Sequence, residues 1–283
     1  MPSARVASKL PGALLATAVL AVAQVPDRPD ALEVLKNVAL TYSAMRTYSA
    51  KSTTVMEMNG PNMQQKIETP MTITEDSSGK MRVETTGMGG SLTVFDGSTL
   101  WMYIPPLNKY TKLPSSSAAS SSQPGGGDLG GAAVGGMGMF SPGTSSFLGY
   151  RSVASNVKEA RILRSESVHA HGSDVDCWVV SVEYDSSGGQ TSSEQAAGAP
   201  AVDLARTKTL WVEKAHYLVY RDDSTGKTTM PGTTAPTETR QTINFDSITV
   251  DQPIPDGTFT FTPPPGATEM DLSSFIPKTL PTK

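Results

Sequence analysis

His169-Ala-His171 is where this sequence comes nearest to a metal-binding pattern. Side chains two apart on a strand share a face, so the pair could offer two imidazoles to one ion. A structural zinc site takes four ligands, and the chain has only Cys177 and a remote His216 left to supply them. The pair also falls in a turn over 169–174, so no metal or other cofactor is expected. Nucleophilic chemistry fares no better. Gly97-Ser98 lies in a strand hairpin, without the strand-turn-helix elbow of G-x-S-x-G hydrolases. Cys177 beside Trp178 reads as inert packing in an apolar strand. Glu75-Asp76 and Asp222-Asp223 are read as turn-solvating carboxylates, and the Gly runs lack the Lys-Ser/Thr ending of a phosphate cradle. No nucleophile–base pair stands out, so the chain is read as a non-enzyme.

What the sequence does offer is apolar side chains spread over many strands. Met56, Met58, Met81, Val83, Leu92, Val94, Trp101, Tyr103, Trp178, Val180, Trp211, Phe259 and Phe261 are the candidates. Leu35, Val38 and Tyr42 on a helix join them. Taken singly, each is a core residue by ordinary burial preference. Together they could line an apolar cavity, with methionines adapting to ligands of variable shape. Lipid acyl chains entering such a space gain ~0.8 kcal/mol per buried methylene.

These residues need elements to position them. Asp30 followed by Glu33 resembles a capping box, and Leu32, Leu35, Val38, Ala39, Tyr42 and Met45 then recur at helical spacing. From Tyr48 the pattern turns strand-like. Short runs at 53–58, 71–74, 80–84, 92–95, 100–104 and 109–113 are divided by Gly, Asp, Asn and Pro, as in an antiparallel meander. Leu92 and Val94 share one face of their strand, as do Met81 and Val83. Strand signals return at 160–168 and 176–185, in a hairpin of 208–213 with 217–222, and at 238–250. A short strand between prolines is expected within 254–267. Residues 115–145 and 186–200 are Ser/Gly-rich inserts that cannot bury enough apolar area to offset their ordering entropy. About ten strands and one long helix satisfy both apolar surfaces if the helix packs on a curved sheet.

The formal net charge of −4 gives no general attraction to nucleic acid or anionic lipid surfaces. A single cysteine excludes an internal disulfide framework. At the N-terminus, Arg5 and Lys9 precede an apolar stretch from Leu10 to Val22, and Ala21-Val-Ala23 supplies a small-x-small site. The stretch is shorter than the ~20 residues of a spanning helix, so 1–23 is read as a secretory signal cleaved near Ala23. The expectation is an exported, soluble chain with one domain over 24–283.

Three motifs in order carry a family resemblance. Met45-Arg-Thr-Tyr-Ser-Ala50 follows the helix, Leu92-Thr-Val-Phe-Asp-Gly-Ser-Thr-Leu-Trp-Met-Tyr103 leads to a proline turn, and Thr258-Phe-Thr-Phe-Thr-Pro-Pro-Pro-Gly-Ala267 comes near the end. This resembles the LolA-like periplasmic lipoprotein carriers. The resemblance implies a mainly β, α+β fold: an unclosed, strongly curved antiparallel β-barrel with the amphipathic N-terminal helix packed on its concave face. It also implies periplasmic transport of lipoprotein acyl chains or free lipid between membranes, with inner- and outer-membrane partner proteins. Related modules of the same fold are sensors or scaffolds that bind a protein partner in the envelope, and that alternative stands. The family's arginine follows a Lys and precedes a Pro; Arg82 in Lys80-Met-Arg-Val stands near that pattern but follows Met81 and lacks the Pro. Where the family has lid helices, this chain has the 115–145 insert.

Overall fold

The computed structural model describes residues 29–60, 63–87, 89–114, 147–185, 201–203, 207–229 and 237–270. The signal-peptide reading and both Ser/Gly-rich inserts lie outside the described residues. Among the described residues, no helix is long and apolar enough to cross a membrane.

The helix forms where its periodicity places it. Helix α1 spans Ala31–Ala44, and the Asp30 side chain accepts a hydrogen bond from the Glu33 N–H at 3.0 Å, closing the first turn. Its Val34, Leu35, Val38 and Tyr42 are buried, while Leu32 and Leu40 remain exposed. Six strands follow as a meander: β1 (Thr47–Gly60), β2 (Met63–Asp76), β3 (Met81–Thr85), β4 (Ser91–Phe95), β5 (Thr99–Ile104) and β6 (Lys109–Pro114). A helical turn α2 (Phe147–Tyr150) precedes β7 (Val157–Ala170) and β8 (Ser173–Tyr184). Then come β9 (Ala201–Asp203), β10 (Thr207–Glu213), β11 (Val219–Thr229), β12 (Thr237–Val250) and β13 (Thr268–Glu269).

All thirteen strands among the described residues belong to one sheet, ordered β13-β6-β5-β4-β3-β2-β1-β12-β11-β10-β8-β7, with β9 alongside β11. The first half of the sheet is sequential because each hairpin turn is short. Between β4 and β5, Asp96 Oδ1 accepts from the N–H groups of Ser98 and Thr99, both at 2.8 Å, and from the Ser98 hydroxyl at 2.7 Å. Gly97 takes φ 98°, a backbone state that side chains disfavour. β12 joins the two halves by pairing with β1 over twelve positions. Pro70, which has no N–H to give a ladder, sits where β3 ends.

The sheet is open, since β7 and β13 do not meet, yet it curls. Beyond Asn244 the β12 edge no longer has β11 beside it. The β7–β8 turn fills that gap: the His171 N–H donates to the Asp246 carbonyl at 2.9 Å. The Ile248 N–H donates to His171 Nε2, also at 2.9 Å. Strands four apart in sheet order are thereby brought into contact, and α1 lies in the trough they enclose.

The C-terminal segment departs from expectation. Residues 258–261 form no strand; consecutive turns run there, with Thr258 N–H on Pro255 O and Thr260 N–H on Gly257 O. Prolines at 253, 255 and 263–265 remove the donors a ladder needs. The segment instead crosses the sheet face, and the strand forms later, as β13 parallel to β6.

Candidate ligand-binding face

Residues directly opposite in an antiparallel ladder share a face, so the pairings sort every candidate side chain. On the face that carries α1 lie Tyr48, Ala50, Ser52, Thr54, Met56 and Met58 of β1. Opposite them in β2 stand Glu75, Ile73, Met71, Thr69, Ile67 and Gln65. Continuing outward, Ile73 faces Val83, Glu75 faces Met81, Met81 faces Phe95, Phe95 faces Leu100 and Leu100 faces Leu113. In the other direction Phe245, Ile243, Asp222, Leu210 and Val180 occupy the same side.

This face holds two apolar clusters. The larger gathers α1 through Leu35, Val38 and Tyr42, with Val180, Val182, Leu210, Phe245 and Ile248 beneath it. Tyr42 is fully buried, its hydroxyl oxygen accepts a hydrogen bond from the Val219 N–H at 3.1 Å, and its ring packs against Tyr48 and Tyr150. Burial pushes the Tyr42, Tyr48 and Tyr150 phenols upward, and Asp222 adds to the rise at Tyr150. The second cluster comprises Met71, Ile73, Met81, Val83, Phe95 and Leu100, with Leu113 against it. The described helices α1 and α2 pack on the first cluster, and the second forms a separate apolar floor across β2–β6.

The residues singled out in the sequence divide between faces. Leu35, Val38, Tyr42 and Val180 are in the larger cluster, and Trp178 packs on its margin with the Lys214 ammonium over its ring at 4.6 Å. Met81 and Val83 are in the second cluster. Met56 and Met58 are half-buried on the same face, beside Gln241 and Thr239. Trp211 also belongs to the larger cluster, although its register with Val179 and Arg221 sets it on the other side of β10, with the Arg221 guanidinium stacked 4.5 Å from its ring centroid.

Leu92, Val94, Trp101 and Tyr103 share the opposite face with Arg82 and Glu84. There Phe261 from the C-terminal segment packs against Trp101, Tyr103 and Tyr110 at centroid distances of 5.6, 5.8 and 6.1 Å. Phe259 is half-buried in the same segment. One cavity cannot be lined by both sets. Arg82 borders a separate hollow of about 280 Å³ between the sheet and residues 252–258, floored by Thr47, Ser49, Thr74 and Thr249. Its guanidinium reaches the Thr258 carbonyl at 3.5 Å and Glu84 at 3.7 Å.

Sequence reasoning missed Met71, Ile73, Phe95 and Leu100 as companions of Met81 and Val83. The signal was the Asp96-Gly97 turn: with Phe95 opposite Leu100, the parity of β4 and β5 follows, and Trp101 falls with Val94. The groups weighed for chemistry are placed apart, and Glu75, Asp222 and Asp223, read from sequence as turn carboxylates, are instead buried in β2 and β11. His169 Nδ1 contacts Asp174, His171 serves β12, and His216 Nδ1 contacts Glu213. Burial pushes the Cys177 thiol up to about 12, and its Sγ–H points to the Val175 carbonyl.

No family model and no curated protein matches the chain. Similar solved structures include the LolA superfamily protein NE2245 from Nitrosomonas europaea, with 11% identity, TM-score 0.33, and coverage of 83% of this chain and 99% of that one. LprF from Mycobacterium bovis shows 11% identity and TM-score 0.41, covering 81% of this chain and 96% of that one. The Pseudomonas aeruginosa MucA/MucB complex shows 10% identity and TM-score 0.34, covering 83% of this chain and 62% of that one.

Proposed function

We propose that this chain is a LolA-like binding protein of the cell envelope that shields acyl chains of a lipoprotein or lipid on the helix-bearing face of its sheet and carries them between membranes. The observation behind this reading is the second apolar cluster. Met71, Ile73, Met81, Val83, Phe95 and Leu100 extend the apolar face past the region that α1 covers. Met71 and Met81 supply unbranched, polarizable side chains that conform to a flexible chain. An acyl chain of about ten methylenes gains about 8 kcal/mol there before the cost of association is met. The ordered family motifs around Tyr48, Trp101 and Phe261 support the same reading.

Protein isolated from an envelope fraction under mild conditions is expected to carry lipid detectable by mass spectrometry. Stripped protein is expected to bind a fluorescent fatty-acyl probe, and Val83→Trp, which overpacks a site only 5% exposed, to weaken that binding by distorting the floor. A lipid-free isolate that also ignores the probe overturns the proposal.

A further inference from the structure

Two side-chain hydroxyls on the helix-bearing face have no hydrogen-bond partner among the described residues. Ser52 and Thr54 of β1 are 2% and 3% exposed, and neither Ser52 Oγ nor Thr54 Oγ1 makes a hydrogen bond to any described residue. A hydroxyl carries one donor and two acceptor sites, and buried hydroxyls are nearly always satisfied. Alanine and valine would fill these positions without that penalty, so two adjacent orphans on one face are unusual.

Their placement suggests what they serve. By register, Ser52 stands between Phe245 of β12 and Met71 of β2, and Thr54 between Ile243 and Thr69. Met71 is the first side chain of the second apolar cluster, so the orphan hydroxyls sit at the border of the acyl-binding floor. Being two residues apart, they stand ~7 Å from each other along one strand edge. Every acyl chain ends in a carbonyl that joins it, as an ester or an amide, to the rest of its molecule. That carbonyl oxygen is an acceptor, and it is the one polar group a shielded acyl chain must bring with it.

We infer that Ser52 and Thr54 are the polar end of the acyl site, donating hydrogen bonds to the ester or amide carbonyl while the chain runs over Met71 towards Met81 and Phe95. The inference rests on the acyl-binding reading and sharpens it: the preferred ligand is an acyl ester or amide, not a bare hydrocarbon. Both hydroxyls are shut off from solvent in this conformation, so uptake requires the face to open and is slower than simple diffusional encounter.

The test uses two pyrene-labelled probes of equal chain length, a fatty-acid methyl ester and an alkane that lacks the carbonyl. Wild-type protein is expected to bind the ester more tightly than the alkane. The double variant Ser52→Ala with Thr54→Val is expected to lose about tenfold in ester affinity, the scale of one or two hydrogen bonds, with alkane affinity unchanged. Ligand-free, its melting temperature is expected to equal or exceed wild type, because two unsatisfied groups are gone. Thr54→Ser keeps a hydroxyl and should retain most of the ester preference, and the single Thr54→Val variant serves if the double one fails to fold. Equal ester affinity in wild type and variant overturns the inference and leaves the acyl-binding reading standing. Failure of wild type to bind either probe overturns that reading itself.

Discussion

Ile248 gives its backbone N–H to the imidazole Nε2 of His171, 77 residues earlier in the chain, at 2.9 Å. The bond does for β12 what a neighbouring strand would have done, because β11 has turned away after Asn244. His171 is suited to the role by its backbone as well, with φ 53° in the two-residue turn before Gly172. Its ring also meets Tyr220 edge-on at 6.1 Å. With the His171 N–H on the Asp246 carbonyl, this contact holds the β7–β8 turn against β12.

The first prediction follows. His171→Asn keeps a residue that tolerates positive φ but is too short to reach Ile248. Leaving a nearly buried N–H unsatisfied is expected to lower stability by about 1–3 kcal/mol, read as a reduced urea midpoint at unchanged slope. Amide exchange at Ile248 should accelerate selectively. Unchanged exchange there would show that another group holds the β12 edge.

Helix α1 provides a paired test of which of its sides matters. Leu35 is fully buried and Leu40 is 67% exposed, although both are leucines on the same helix. Leu35→Ala is expected to cost about 2–5 kcal/mol, through lost transfer energy and the cavity left behind. Leu40→Ala should stay within about 0.5 kcal/mol, as surface changes do. Comparable losses at both positions would mean that the helix packs differently from the arrangement described.

A third prediction concerns alkaline pH. Burial raises the phenols of Tyr42, Tyr48, Tyr150 and Tyr184 well above their ordinary value, and pushes Tyr220 up to about 12. A raised folded-state pKa means that the neutral phenol is favoured by folding. That stability is fully present below the unfolded value near 10 and is lost as pH rises through the folded values. The fold should therefore weaken from about pH 10 upward. Phenolate absorbance from these five residues should appear together with loss of the folded circular dichroism signal. Their smooth ionisation in a still-folded protein would contradict the burial.

Much of this architecture was legible because its causes are local. Asp30 and Glu33 announce the start of α1, and Gly79 and Gly97 announce turns of the meander. Parity within a strand was also readable, since Met81 and Val83 must share one face, as must Leu92 and Val94. What could not be read was which face looks towards α1. That depends on the β3–β4 register, which sets Met81 opposite Phe95 and Arg82 opposite Val94. The destination of Phe261 was hidden for a related reason. Its partners lie some 150 residues earlier, and a strand-like Phe-x-Phe spacing says nothing about a segment that crosses a sheet face. Ser52 and Thr54 gave no signal at all, because in a strand both are ordinary β-formers until burial shows them unpartnered.

The division into two faces yields the last prediction. Phe261 fills the space among Trp101, Tyr103 and Tyr110 on the face away from α1, and β13 anchors the same segment through the Lys112–Glu269 ion pair at 3.0 Å. Phe261→Ala removes a half-buried ring, so the expected destabilisation is about 2 kcal/mol, below the range for a fully buried phenylalanine. Acyl-probe affinity, measured well below the variant's melting temperature, is expected to be unchanged, since the altered contacts lie behind the sheet. Val83→Trp on the other face should impair binding as well as stability, since Val83 is only 5% exposed and overpacking such a site costs about 1–3 kcal/mol. A Phe261→Ala variant that remains folded yet loses acyl binding would move the ligand to the aromatic face, and the second apolar cluster would then be only core.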